Sequence, residues 1–106
     1  MPESPTAKFV RIWRGRTKRD VADEYQLYWL AHGIAPLIQK GALSVEMLRE
    51  DRENDAEFLT ISRWDSLERM APDGSDPHRT HHLPRDPEFL LEVPDRVQIL
   101  KILTPI

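Results

Sequence analysis

Apolar and polar positions change their period several times along the chain, and each change marks an element. Residues 8–14, Lys-Phe-Val-Arg-Ile-Trp-Arg, are rich in β-branched and aromatic side chains and stop at Gly15, which predicts a first strand. Thr17 then stands as a helix N-cap, with Asp20 three residues later near the place of a capping-box carboxylate and at the positive end of the helix dipole. Val21, Tyr25, Tyr28, Trp29 and His32 recur at spacings of three and four, so they share one face of a helix running to about residue 39. Pro36 is expected to kink that helix or end it a turn early, leaving 33–40 as an irregular tail.

Gly41 opens a second extended segment over 42–49. A charged turn over 50–55, containing Asn54-Asp55, leads into a third over 56–64, and the pair reads as a hairpin. Asp65 or Ser66 is expected to cap a short helix to Met70. Residues 71–87 hold four prolines, a glycine and three histidines, and predict an irregular excursion with one or two helical turns. Asp86-Pro87-Glu88 starts a further short helix through Glu92, because proline suits a first turn, and 96–103 form the last strand.

The order β, α, β, β, α, β is the split unit whose interleaved crossovers give a ferredoxin-like α+β fold, a four-stranded antiparallel sheet with helices on one face. Both faces of this sheet carry bulk. Phe58 and Trp64 fall on one parity of the third strand and Leu59 and Ile61 on the other, while Leu100 and Ile102 oppose Val97, Ile99 and Leu103. A second copy of the chain about a two-fold axis would cover the face that the helices leave bare, so a homodimer is expected.

Composition narrows the function classes. The 106 residues, 40% hydrophobic, suit a single domain over 8–106 behind a short disordered tail at 1–7. The lack of cysteine excludes a disulfide framework and thiolate chemistry. No apolar run approaches the roughly 20 residues of a membrane span, and the polar start lacks the apolar centre of a signal peptide, so a cytoplasmic protein with no membrane partner is expected. The net charge of −3, from 15 basic and 18 acidic residues spread along the chain, offers no broad cationic face, and nucleic acid is not an expected partner. Arg11, Arg14, Arg16, Lys18 and Arg19 form a local basic cluster, read as a solvated strand end and first helical turn, with anion binding as its alternative.

Candidate chemistry gathers in three places: Tyr25, Tyr28, Trp29 and His32 on the first helix; Arg63 and Trp64 at the end of the third strand; and His78, His81 and His82 in the excursion. Together they can border one aromatic-walled cleft between helix and sheet, the usual seat of a planar small molecule; plain core is the alternative for the helix aromatics and His32. The H-x-x-H-H spacing puts His78 beside His81 and His82 on a helical turn, but no carboxylate completes a metal set and Arg79 repels a cation, so no metal is assigned. One imidazole serving as pocket donor or general base is the preferred reading. No serine-nucleophile motif, phosphate loop or dinucleotide signature is present.

Three segments carry a resemblance: Phe-Val-Arg-Ile-Trp-Arg-Gly-Arg-Thr at 9–17, Glu-Phe-Leu-Thr-Ile-Ser-Arg-Trp-Asp-Ser-Leu-Glu at 57–68, and Pro-Glu-Phe-Leu-Leu-Glu at 87–92. Through them the chain, over 8–103, resembles the dimeric α+β barrel superfamily, specifically the antibiotic-biosynthesis-monooxygenase-like proteins. Members of that group are homodimers whose sheets face each other, with a ligand cleft between helices and sheet in each subunit. They include cofactor-independent oxygenases of polyketide quinols, haem-degrading enzymes and proteins without known activity.

The resemblance implies a small-molecule-binding homodimer that oxidises an aromatic or polycyclic substrate with molecular oxygen and no cofactor. In that scheme His78 or His32 is the base, Trp64 packs on the substrate ring, Arg63 stabilises developing negative charge, and Trp29, Tyr25, Tyr28, His81 and His82 line the site. The excursion is expected to be its lid, with His78 as the functional histidine. A non-catalytic ligand-binding or stress-response protein and a haem-binding or haem-degrading protein are the alternatives. Residues 8–14 contain no asparagine, a residue that oxygenases and haem degraders of the group often place on the first strand.

Overall fold

A computed structural model describes residues 6–104 of the chain. Its elements are β1 (Phe9–Lys18), a 3-10 turn (Arg19–Val21), α1 (Ala22–His32), α2 (Ile34–Lys40), β2 (Ser44–Asp51), β3 (Asp55–Trp64), α3 (Asp86–Phe89) and β4 (Gln98–Lys101). Of the tail expected at 1–7, residues 1–5 lie outside the described residues; Thr6 is exposed and Ala7 half-buried. Among the described residues no helix is long and apolar enough to cross a membrane.

The strands form one sheet in the order β2-β3-β1-β4, with every neighbouring pair antiparallel. This is the ferredoxin-like arrangement expected from the order of elements, with the helices on one face. Alternation does the sorting. On β3, Ala56, Phe58, Thr60, Ser62 and Trp64 are buried while the residues between them are half-buried, and on β1 Arg11, Trp13, Gly15 and Thr17 are the buried set. The register places Trp13 opposite Thr60 and Arg11 opposite Ser62, so both strands turn the same parity toward the helices.

Two clusters make the core. The larger joins Trp13, Phe58 and Val97 of the sheet region to Tyr25 and Trp29 of α1 and to Phe89 and Leu90 of the α3 segment; the smaller gathers Ala42, Trp64 and Met70. The opposite face of the sheet carries Val10, Ile12, Leu59 and Ile61, half-buried, with Leu48 and Leu100 each 45% exposed at the two edge strands. Arg14 and Arg63 sit among them on the same parity.

Several local expectations are corrected. Gly15 does not end β1. It pairs with Phe58 inside the strand and lies where a Cβ would collide with the Trp13 ring, so glycine here makes room for an indole rather than a turn. Thr17 is consequently a buried strand residue, its hydroxyl donating to the Lys18 carbonyl at 2.9 Å, and caps nothing. The first helix breaks at Gly33, not at Pro36; Pro36 is the third residue of α2, in a first turn where its missing N–H costs no helical bond.

The helix expected over 65–70 is a turn, closed by Met70 N donating to the Leu67 carbonyl at 3.1 Å. The excursion has no helical turn before α3; it is pinned to the region ahead of β4 by the Arg79–Arg96 bridge and by Val97 N donating to the His78 carbonyl at 2.7 Å. The final helix is a single turn, Asp86–Phe89, and β4 is four residues long.

Candidate functional site

The inner face of the sheet, the end of α1, α2 and the last part of the excursion line an open cleft. Strand alternation supplies the floor: Arg11 and Trp13 from β1, and Thr60 from β3. The break between helices supplies a wall. A Cβ at Gly33 would stand 2.5 Å from the Trp29 indole, so only glycine lets that ring lie along the break, with Pro36, Leu37 and Lys40 of α2 beside it. His81, Leu83 and Asp86 complete the rim opposite.

Asp86 is 3% exposed and serves the frame of the cleft. Its Oδ1 accepts the Tyr25 hydroxyl at 3.1 Å and its Oδ2 accepts the backbone N–H of Leu83 at 2.9 Å, which ties α3 to α1 and to the excursion. Burial pushes the Asp86 carboxyl above its ordinary value against the pull of those two donors and of His82, and burial beside Asp86 pushes the Tyr25 phenol up as well.

Beside Asp86 the cleft carries the cationic Arg11 and Lys40 and the imidazole of His81. Arg11 is 8% exposed and makes no hydrogen bond or ion pair with any described residue. Burial lowers its pKa, which is unusual for a guanidinium. Burial lowers Lys40 too, with Arg11 adding repulsion and Asp73 opposing it. His81, at the mouth, is lowered first by burial and then by Lys40, Arg11 and Arg79, again against Asp73. The Thr60 hydroxyl is buried and has no hydrogen-bond partner. The arrangement is an apolar, indole-walled slot with cationic groups and an idle hydroxyl at its floor and mouth, suited to a planar molecule with an electron-rich polar edge.

Of the nine side chains singled out from the sequence, Trp29 and His81 line this cleft. Tyr25 and Tyr28 are frame residues: Tyr25 is wholly buried on Asp86, and the Tyr28 hydroxyl accepts the Arg85 N–H at 3.0 Å while its ring stacks on Phe89 with centroids 5.8 Å apart. His32 is exposed at the end of α1. His82 Nδ1 sits 3.8 Å from Asp86 Oδ2, behind the rim.

Three residues stand apart from the cleft. His78 faces Asp76, Nδ1 to Oδ1 at 3.3 Å, on the outside of the excursion, because the segment has no helical turn to bring it beside His81. Arg63 points to the opposite face of the sheet, 3.7 Å from Glu46, as its parity on β3 dictates. Trp64 is fully buried in the smaller core cluster, its Nε1 donating to Ser62 Oγ at 2.8 Å, so its indole is occupied by the protein itself. Among the described residues no three histidine, aspartate or glutamate side chains gather as a metal set.

Trp13, Lys40, Thr60 and Asp86 belong to the cleft and were not among the sequence candidates, and Arg11 figured only in the basic cluster with anion binding as its alternative. Arg11 and Trp13 share a strand parity, so a charged side chain stands on the face that buries an indole, which is the signal that could have placed both in the cleft. The solvated reading of the basic cluster holds for Arg14, Lys18 and Arg19, which are exposed, and fails at Arg11, which is buried.

Sheet, helices on one face and an intervening cleft define a ferredoxin-like α+β protein. No protein-family model matches the chain and no curated protein aligns with it. Among solved structures it is similar to a Bacillus cereus protein provisionally described as an antibiotic biosynthesis monooxygenase, with a TM-score of 0.63 at 15% identity over 95% of this chain and 98% of that one. It is also similar to PA3566 of Pseudomonas aeruginosa, with a TM-score of 0.55 at 15% identity over 98% of this chain and 100% of that one. The chain therefore has the fold of antibiotic-biosynthesis-monooxygenase-like proteins, as its sequence resemblance implied.

Proposed function

We propose that the protein is a small-molecule-binding homodimer whose cleft takes a planar aromatic molecule and oxidises it with molecular oxygen, using no resident cofactor. The observation that carries this reading is the convergence of the Trp13 and Trp29 indoles with His81, Lys40 and Arg11 in one cleft. Dimerisation is supported by the second apolar face of the sheet, where Ile12, Leu59 and Ile61 lie between the exposed Leu48 and Leu100.

His81, rather than His78 or His32, fits the role of base. Its lowered pKa keeps the imidazole neutral near pH 7, free to take a phenolic proton, and the phenolate left behind is stabilised by Arg11 and Lys40. The electron-rich ring then reacts with oxygen: a hydroquinone plus O₂ gives a hydroxyquinone plus water, the substrate supplying all four electrons and one oxygen atom entering the ring. Oxygen-electrode assays on substituted hydroquinones under air test this. The expected result is saturable uptake that falls at least about tenfold in His81→Gln, within the usual range for a lost general base. Uptake no faster than without protein, or unchanged in His81→Gln, would contradict the oxygenase reading; a binding-only protein would then remain, as one that retains ligand without turnover.

A further inference from the structure

Arg11 is the least expected residue of the cleft. A guanidinium drawn largely out of bulk water is costly unless a carboxylate or a set of acceptors meets it, and Arg11, 8% exposed and lining the open cleft, has neither among the described residues. The two carboxylates nearby do not supply the balance. Asp86 lines the same cleft, but its oxygens are taken by Tyr25 and by the Leu83 N–H. Asp73 acts on Lys40 and His81 without a bond to Arg11. Thr60 is a second idle polar group: 3% exposed, its hydroxyl unpartnered, it lies diagonally across from Arg11 on the same face of the β1–β3 pair.

We infer that Arg11, helped by Lys40 and the Thr60 hydroxyl, forms an anion-holding end of the cleft and that the ligand is a planar aromatic carboxylate. The guanidinium is a rigid fork of donors that matches the two oxygens of a carboxylate, and a bound carboxylate converts the unpaired charge into a desolvated, charge-assisted pair. Trp13, Trp29, Leu37 and Leu83 supply the apolar walls that an inorganic anion would leave unused. The inference rests on the reading of this cleft as the seat of an aromatic molecule and adds the charge that the molecule must carry.

Isothermal titration calorimetry with naphthalene-2-carboxylate and its neutral isostere naphthalene-2-carboxamide separates the two claims. The carboxylate should bind at least about tenfold more tightly than the amide, the size of one charge-assisted hydrogen bond. Arg11→Met should erase that preference while the amide still binds. Lys40→Met, at a half-buried position, should cut the preference by a smaller factor, and provides the reading if Arg11→Met does not fold. Equal affinity for the two probes, or a preference that survives both variants, overturns the inference and leaves the aromatic cleft standing. Binding of neither probe overturns both.

Discussion

The Tyr25 hydroxyl donates to Asp86 Oδ1 at 3.1 Å inside the protein, and this bond joins the first helix to the single helical turn that precedes the last strand. Neither group has water to fall back on, since Tyr25 is fully buried and Asp86 nearly so. Tyr25→Phe should therefore destabilise the protein by about 1 to 3 kcal/mol, the range for orphaning a buried charged acceptor. Chemical denaturation of the two proteins measures it. A change below about 0.5 kcal/mol would mean that Asp86 finds another donor.

Gly33→Ala sets two effects against each other. Alanine is favoured over glycine in helical conformation by about 1 kcal/mol, yet its Cβ would stand 2.5 Å from the Trp29 indole. Overpacking of this kind costs about 1 to 3 kcal/mol, so the steric term should win and push the indole out of the cleft wall. The expected outcome is a lower melting temperature together with a shifted Trp29 signal. A stabilised protein with an unmoved indole would show that the wall is soft.

Trp64 and Trp29 should respond oppositely. Trp64→Ala removes a fully buried side chain outside the cleft and should cost about 3 to 5 kcal/mol, a large part of a small domain's stability, so Trp64→Phe is the variant for binding work. That variant should bind a neutral naphthalene probe as the parent does, whereas Trp29→Ala should weaken binding at least about tenfold. Loss of binding on Trp64→Phe would return the site to the end of β3.

Acid should destabilise the cleft through His81. Its folded pKa lies below the ordinary histidine value of about 6.5, because burial, Lys40, Arg11 and Arg79 outweigh Asp73. The unfolded chain then binds more protons than the folded one as pH falls below about 6.5, so stability present above that pH is lost as it falls through the folded value. His81→Gln should show a smaller drop in melting temperature between about pH 7.5 and pH 5.5 than the parent. Identical drops would indicate that solvent screens the exposed His81 from Lys40, Arg11 and Arg79.

The order of elements was legible because it is written in period. Alternation over 56–64 survives in β3, and of the three-and-four series from Val21 to His32 it is Tyr25 and Trp29 that are buried on α1, while Val21 precedes the helix and His32 is exposed. Two of the boundaries turn on glycines: Gly15 looks like a breaker but is space for the Trp13 indole inside β1, while Gly33 is both the break between the helices and space for Trp29, and only the three-dimensional position of the indoles reveals this. The site was half legible. Trp29 and His81 belong to residue types that announce chemistry, whereas Arg11 sits in a basic run whose other exposed members look the same in sequence, and its burial depends on β1 continuing past Gly15. His78 was misleading because its spacing suggests a helical turn that the prolines and the Arg79–Arg96 bridge preclude.

The chain has three tryptophans, and each reports a different place: Trp13 and Trp29 line the cleft, while Trp64 is sealed in the second core cluster with its Nε1 on Ser62. A ¹⁵N correlation spectrum resolving their indole N–H signals, followed during titration with 2-naphthol, therefore tests the small-molecule cleft directly. The Trp13 and Trp29 signals should move saturably while that of Trp64 stays in place; three unmoved signals, or a Trp64 signal moving with the others, would contradict a ligand site between the helices and the sheet.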